Sequence, residues 1–165
     1  MRPLILTGGP AVGKTTCGSA LALERERAAF IDADDVRQFV VAGDAPLWSG
    51  DEGRAQHLLA TENVSAVARN LLRDGFDVVV ADVVTHATLP RYRSALPGCL
   101  VVHLAITLDA ARERAATRPV YLTDDEFTLL HRMTAAPPPV DVVLDVGALS
   151  VDQQLDRVRA VWLSA

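Results

Sequence analysis

Short apolar runs alternate along the chain with segments whose apolar residues recur at helical spacing. Pro3–Thr7 (PLILT), Ala28–Ile31 (AAFI), Asp77–Val84 (DVVVADVV), Leu100–Ile106 (LVVHLAI) and Val140–Val146 (VDVVLDV) read as strands. Lys14–Arg27, Asp34–Val41, Glu52–Asp74, Leu89–Leu96, Leu108–Thr117, Thr123–Met133 and Ser150–Ser164 read as helices. Gly43 and Gly75 stop two of them, and Ser150 reads as an N-cap. Strands that are nearly continuous Val, Ile and Leu, each followed by a helix, predict an α/β fold with a parallel five-stranded sheet covered on both faces. In such a sheet the ligand crevice lies outside the carboxyl ends of the strands, so chemistry is expected just after each strand.

The first of these positions carries Gly8-Gly9-Pro10-Ala11-Val12-Gly13-Lys14-Thr15, which satisfies G-x-x-x-x-G-K-[ST] between a strand and a helix. Glycines let backbone N–H groups wrap closely around a phosphate, and the helix N-terminus adds partial positive charge. The motif predicts a nucleotide phosphate site over Gly8 to Thr16, with Lys14 on the β- and γ-phosphates and the Thr15 hydroxyl on Mg²⁺. The competing reading is a plain Gly-rich turn. The bare pattern arises by chance on the order of once in a few hundred chains of this length, and the flanking strand and helix weigh further against it.

After the second strand stands Asp32-Ala33-Asp34-Asp35-Val36-Arg37. Three carboxylates at the carboxyl end of a parallel strand fall in the expected crevice. Phosphoryl transfer to a hydroxyl needs a carboxylate to orient it and an Arg to hold the acceptor. The alternative is that Asp34 or Asp35 only caps the next helix. Asp82, ending the third apolar run, is placed to hold Mg²⁺ or its water or to touch the acceptor, or else to cap a turn. Arg114 and Arg118, four apart, share a helix face and are able to clamp a migrating phosphoryl group; a solvated face paired with Glu113 is the plainer account.

The segment D-x-D-[DN]-x-R resembles the pattern of adenylylsulfate kinase and of the 5′ kinase domain of phage polynucleotide kinase, and is similar, more loosely, to chloramphenicol phosphotransferase. The resemblance implies a three-layer P-loop kinase fold with strand order 2-3-1-4-5 and a lid over about residues 112–133. It also implies that Asp34 is the acceptor-site carboxylate and general base, that Arg37 binds the acceptor, and that Asp32 lies near metal and acceptor. Asp82 belongs to the same set. Arg114 and Arg118 would be lid arginines over the phosphates, and the Val146–Ser150 loop would lie beside the nucleotide base.

Composition narrows the picture. The 165 residues suit one domain, 1–165. No apolar run approaches the ~18 residues of a membrane helix, and Met1-Arg2-Pro3 runs straight into a strand, which argues against a signal peptide. Cys17 and Cys99 lack metal or disulfide spacing, as expected in the cytoplasm. The net charge of −5 disfavours nucleic acid as the partner. Lys14 is the only lysine among 16 basic residues, which also excludes the N-K-x-D base-reading motif of GTPases. His57, His86, His103 and His131 lack ligand spacing, and His103 reads as core. Trp48, in the Asp44–Gly53 segment, reads either as packing or as an aromatic over the acceptor.

The expected activity is therefore transfer of the ATP γ-phosphate, with Mg²⁺, to a hydroxyl of a small molecule such as a natural product, nucleoside or sugar. Asp34, Lys14, Arg114 and Arg118 would do the chemistry. The alternatives are a 5′-hydroxyl polynucleotide kinase and a regulatory module that hydrolyses ATP slowly.

Overall fold

A computed structural model describes residues 1–117 and 121–165. Its elements are β1 (Leu4–Gly8), α1 (Lys14–Leu23), β2 (Ala28–Asp32), α2 (Ala33–Arg37), α3 (Gly50–Arg73), β3 (Asp77–Ala81), α4 (Leu89–Ala95), β4 (Leu100–Ala105), α5 (Leu108–Ala115), α6 (Asp124–Thr134), β5 (Val142–Asp145) and α7 (Val151–Leu163). The five strands form one sheet in the order β2-β3-β1-β4-β5, and every pairing is parallel.

The period-2 alternation of side chains sorts each strand between two cores. Ile5, Val78, Val80 and Val101 face one side and pack against Val64 and Ala68 of α3 and Tyr92 of α4. Leu4, Leu6, Val79, Val102 and Leu104 face the other and pack against Cys17 and Leu21 of α1 and Val158 and Trp162 of α7. Each such side chain, once buried, stabilises the fold by about 1.5–3 kcal/mol. That is why the central strands are mostly apolar, with Thr7, Asp77 and His103 as the polar exceptions.

Register places the chemistry. Leu6 pairs with Ala81, and Ala81 with Asp32. The phosphate loop, Asp32 and Asp82 therefore emerge side by side at one edge of the sheet. β3 ends at Ala81, three residues short of the expected Val84. There the ladder gives way to side-chain bonding, with the Val84 N–H donating to Thr7 Oγ1 at 2.8 Å.

α2 is also shorter than expected, ending at Arg37 rather than Val41. Phe39 and Val41 are exposed, so no apolar face continues the helix into the core. Its N-cap is Asp32, which accepts from the Asp34 N–H at 3.0 Å; neither Asp34 nor Asp35 is the cap. α6 and α7 each open with a full capping box, Thr123 with Glu126 and Ser150 with Gln153. Among the described residues, no helix is long and apolar enough to cross a membrane.

Candidate active site

The phosphate loop runs from β1 into α1. Gly13 takes φ +90°, a left-handed conformation in which a side chain would be strained, and a Cβ there would lie 2.8 Å from Gln154 Nε2. Gly9 is packed as closely: a Cβ would lie 2.9 Å from Thr134 Oγ1 on α6. Alternating left- and right-handed backbone turns successive N–H groups toward one concavity, which suits a phosphate. The Lys14 ammonium donates to the carbonyls of Gly8 and Gly9, at 2.9 Å each. Burial lowers its pKa from the ordinary value, opposed by Asp34, Asp82 and Asp32.

Thr15 Oγ1 donates to Asp32 Oδ2 at 2.8 Å. The two oxygens come from the first turn of α1 and the end of β2, and are half-buried or exposed. A hydroxyl and a carboxylate this close form the hard-oxygen donor set Mg²⁺ takes, so these residues fit the ion.

Asp34, Arg37, Asp82 and His57 form one network. Arg37 Nη1 donates to Asp34 Oδ1, and Arg37 Nη2 donates to Asp82 Oδ1. Nη2 also meets His57 Nδ1 at 3.0 Å, while His57 Nε2 lies 2.8 Å from the Val83 carbonyl. A carbonyl only accepts and a guanidinium only donates, so His57 carries its proton on Nε2 and takes the Arg37 N–H on Nδ1. Burial lowers the His57 pKa; the carboxylate of Asp82 opposes this and Arg37 adds to it. Burial alone would also lower the pKa of Arg37, but Asp82 and Asp34 outweigh it and raise that pKa above the ordinary value.

Asp82 has no oxygen to spare. Oδ1 also accepts from the Val83 N–H at 2.7 Å, and Oδ2 accepts from the Tyr92 hydroxyl at 2.7 Å. Its side chain is 0% exposed. Both oxygens therefore accept from protein donors, and Asp82 anchors Arg37. Asp34 is the opposite case. Its side chain is 74% exposed, and Oδ2 has no partner among the described residues.

Arg114 is likewise engaged elsewhere than expected. Its guanidinium donates to the carbonyls of Val146 and Leu149, the latter at 3.0 Å, and to Gln154 Oε1 at 3.0 Å. These bonds hold it against the β5–α7 loop. Arg118 lies outside the described residues. Phe127 of α6 packs with Ala11 of the phosphate loop and Ala111 of α5.

Lys14, Thr15, Asp34 and Arg37 all line one cavity of about 520 Å³. Leu47 and Trp48 form one wall, and Leu122, Phe127 and Leu130 another. Trp48 thus borders the cavity, while His86 is exposed and does not line it. Arg54 is exposed and pairs with Asp51 on the surface.

No family model and no curated protein matches the sequence. Solved structures do match. The chain is similar to an unliganded sugar kinase from Janibacter sp. HTCC2649, with TM-score 0.78 and 17% identity over 99% of this chain and 95% of that one. It is similar to a gluconokinase from Sinorhizobium meliloti 1021, with TM-score 0.67 and 18% identity over 99% and 97%. It is similar also to a shikimate kinase from Acinetobacter baumannii in complex with shikimate, with TM-score 0.66 and 21% identity over 99% and 94%. The chain has the P-loop kinase fold.

Within that fold the sequence reading missed three residues that build the site. His57 and Tyr92 give no local signal, because their partners lie 10 to 26 residues away in the chain and on other elements. Gln154 did carry one. It shares the buried stripe of α7 with Val158 and Trp162, and a Gln on an apolar stripe requires partners. Its Nε2 donates to the Val12 carbonyl at 2.8 Å, bracing the phosphate loop from behind.

Proposed function

We propose that the chain is an ATP-dependent kinase that transfers the γ-phosphate to a hydroxyl of a small molecule. The observation that carries this reading is a single cavity lined both by the phosphate loop, through Lys14 and Thr15, and by an open carboxylate, Asp34. The sugar, gluconate and shikimate kinases of similar fold support it.

In this reading the loop amides and Lys14 hold the triphosphate, and Lys14 offsets charge on the transferring group. Thr15 and Asp32 would hold Mg²⁺, which supplies charge neutralisation at the phosphates when bound. Asp34 Oδ2 accepts the acceptor hydroxyl's hydrogen bond and takes its proton as the oxygen attacks phosphorus. Arg37, tied to buried Asp82, fixes the carboxylate of Asp34 in place. Arg114 shapes the base side of the nucleotide site through the Val146–Leu149 carbonyls. Cys17 and Cys99 are buried and free, which supports a reducing cytoplasm as the working compartment.

The test is γ-phosphate transfer from ATP with Mg²⁺ to two acceptor panels, one of sugars, nucleosides and hydroxylated natural products and one of 5′-hydroxyl oligonucleotides. Label on a small molecule is the expected result. Label on oligonucleotide ends alone would replace this reading with a polynucleotide kinase. Slow ATP hydrolysis that no acceptor stimulates would replace it with a regulatory ATPase.

A further inference from the structure

We propose that the acceptor of this site is an uncharged hydroxylated molecule with an apolar body, and that hydroxy acids are poor acceptors. The proposal rests on the kinase reading above and deepens it.

Arg37 and Lys14 account for the cations lining the cavity among the described residues. Lys14 belongs to the phosphate loop, so among the described residues Arg37 is the cation placed to recognise an acidic acceptor. A guanidinium grips a carboxylate through two parallel N–H bonds. The end-on grip uses Nη1 with Nη2, and the side-on grip uses Nε with Nη2. Both need Nη2, and both of its hydrogens are already used, one on Asp82 and one on His57. To be gripped through two bonds, a carboxylate would have to break a bond to a fully buried acid, or strip the buried imidazole of its donor.

Charge points the same way. Two carboxylates, Asp34 and Asp82, already attend one guanidinium. His57, held on Val83 and Arg37 as the neutral tautomer, adds no positive charge. An anionic acceptor would therefore meet a surplus of negative charge at the place where its hydroxyl must dock. Nor does the site invite a cation: the carboxylate oxygen left over is Asp34 Oδ2, which the reacting hydroxyl requires.

Beside the polar Gln38, His57 and Tyr121, the lining carries apolar Leu47, Trp48, Leu122, Phe127 and Leu130. A second cavity of about 560 Å³ shares Arg37, Pro46, Leu47 and His57 with the first and continues over Val36, Val40 and Ala60. An acceptor that places a hydroxyl on Asp34 thus has apolar surface to cover on both sides of Leu47.

The experiment measures kcat/KM for ATP-dependent phosphorylation of matched pairs: shikimic acid with its methyl ester, gluconic acid with its amide, and hexoses with their phenyl glycosides. The uncharged member of each acid pair should exceed the acid by at least about tenfold, and the phenyl glycoside should exceed the free hexose. Equal or inverted ratios, with phosphorylation observed, overturn the proposal and leave the kinase reading standing. No phosphorylation of any member, with ATP bound, overturns both. Arg37→Gln adds an independent arm. It should lower the two members of an acid pair by the same factor, and a selective loss with the acid would show that Arg37 recognises the anion.

Discussion

Arg37 and Asp82 stand 45 residues apart in the chain and meet as an ion pair whose carboxylate is completely buried. Asp82 leaves the sheet just past β3, opposite the phosphate loop, and Arg37 ends α2. The pair thus ties the helix that carries Asp34 to the rigid centre of the sheet. Removing one partner of a buried pair is costly because the other keeps its desolvation penalty. Asp82→Asn should destabilise the protein by about 3 kcal/mol, at the low end for such pairs because Arg37 retains Asp34. Urea denaturation of the two proteins checks this; identical midpoints would mean that Asp82 does not anchor the site.

His57 should make stability fall in mild acid. Its folded pKa is lowered chiefly by burial, whereas in the unfolded chain it titrates near the ordinary ~6.5. Below that pH the unfolded state binds the extra proton, so stability present above about 6.5 is lost as pH falls toward the depressed folded value. His103 shifts in the same direction, so the measurement must be differential. Between pH 7.5 and 5.5 wild type should lose more stability than His57→Gln. Parallel losses would exclude a buried neutral imidazole at this position.

The placement of Arg114 separates two roles kinetically. Held on the Val146 and Leu149 carbonyls, it supports the loop, which in the proposed function flanks the nucleotide. Arg114→Ala should raise KM for ATP by about tenfold while leaving kcat within about threefold. A fall in kcat of two orders of magnitude at saturating ATP would instead return Arg114 to the transferring phosphate.

Asp34→Asn preserves the shape and the bond from Arg37 but removes the base. Transfer should drop by about two orders of magnitude or more, with ATP affinity changed no more than a few-fold. Loss of ATP binding with no separate effect on transfer would make Asp34 a nucleotide or structural residue. As the control on the phosphate loop, Lys14→Ala should abolish transfer outright, and undiminished turnover would refute that assignment.

What the sequence determined by itself was the sheet and the loop. Val, Ile and Leu at consecutive positions leave no polar face, so β1, β3 and β4 had to lie inside a covered parallel sheet. Glycine, lysine and threonine at fixed spacing dictate a phosphate loop because its geometry is local, set within eight residues of backbone. Capping was legible for the same reason at Ser150, and less so at Asp32, where three acids within four residues compete for one cap. Tertiary structure alone decided which acids stay open. Asp34 and Asp82 are the same residue type after neighbouring strands, yet one is exposed and the other has both oxygens filled by Arg37, Val83 and Tyr92. Arg114 was redirected in the same way, by carbonyls more than 30 residues further along the chain. A side chain's role depends on which donors and acceptors fold up against it, and those partners come from segments whose distance along the chain carries no information about their distance in space.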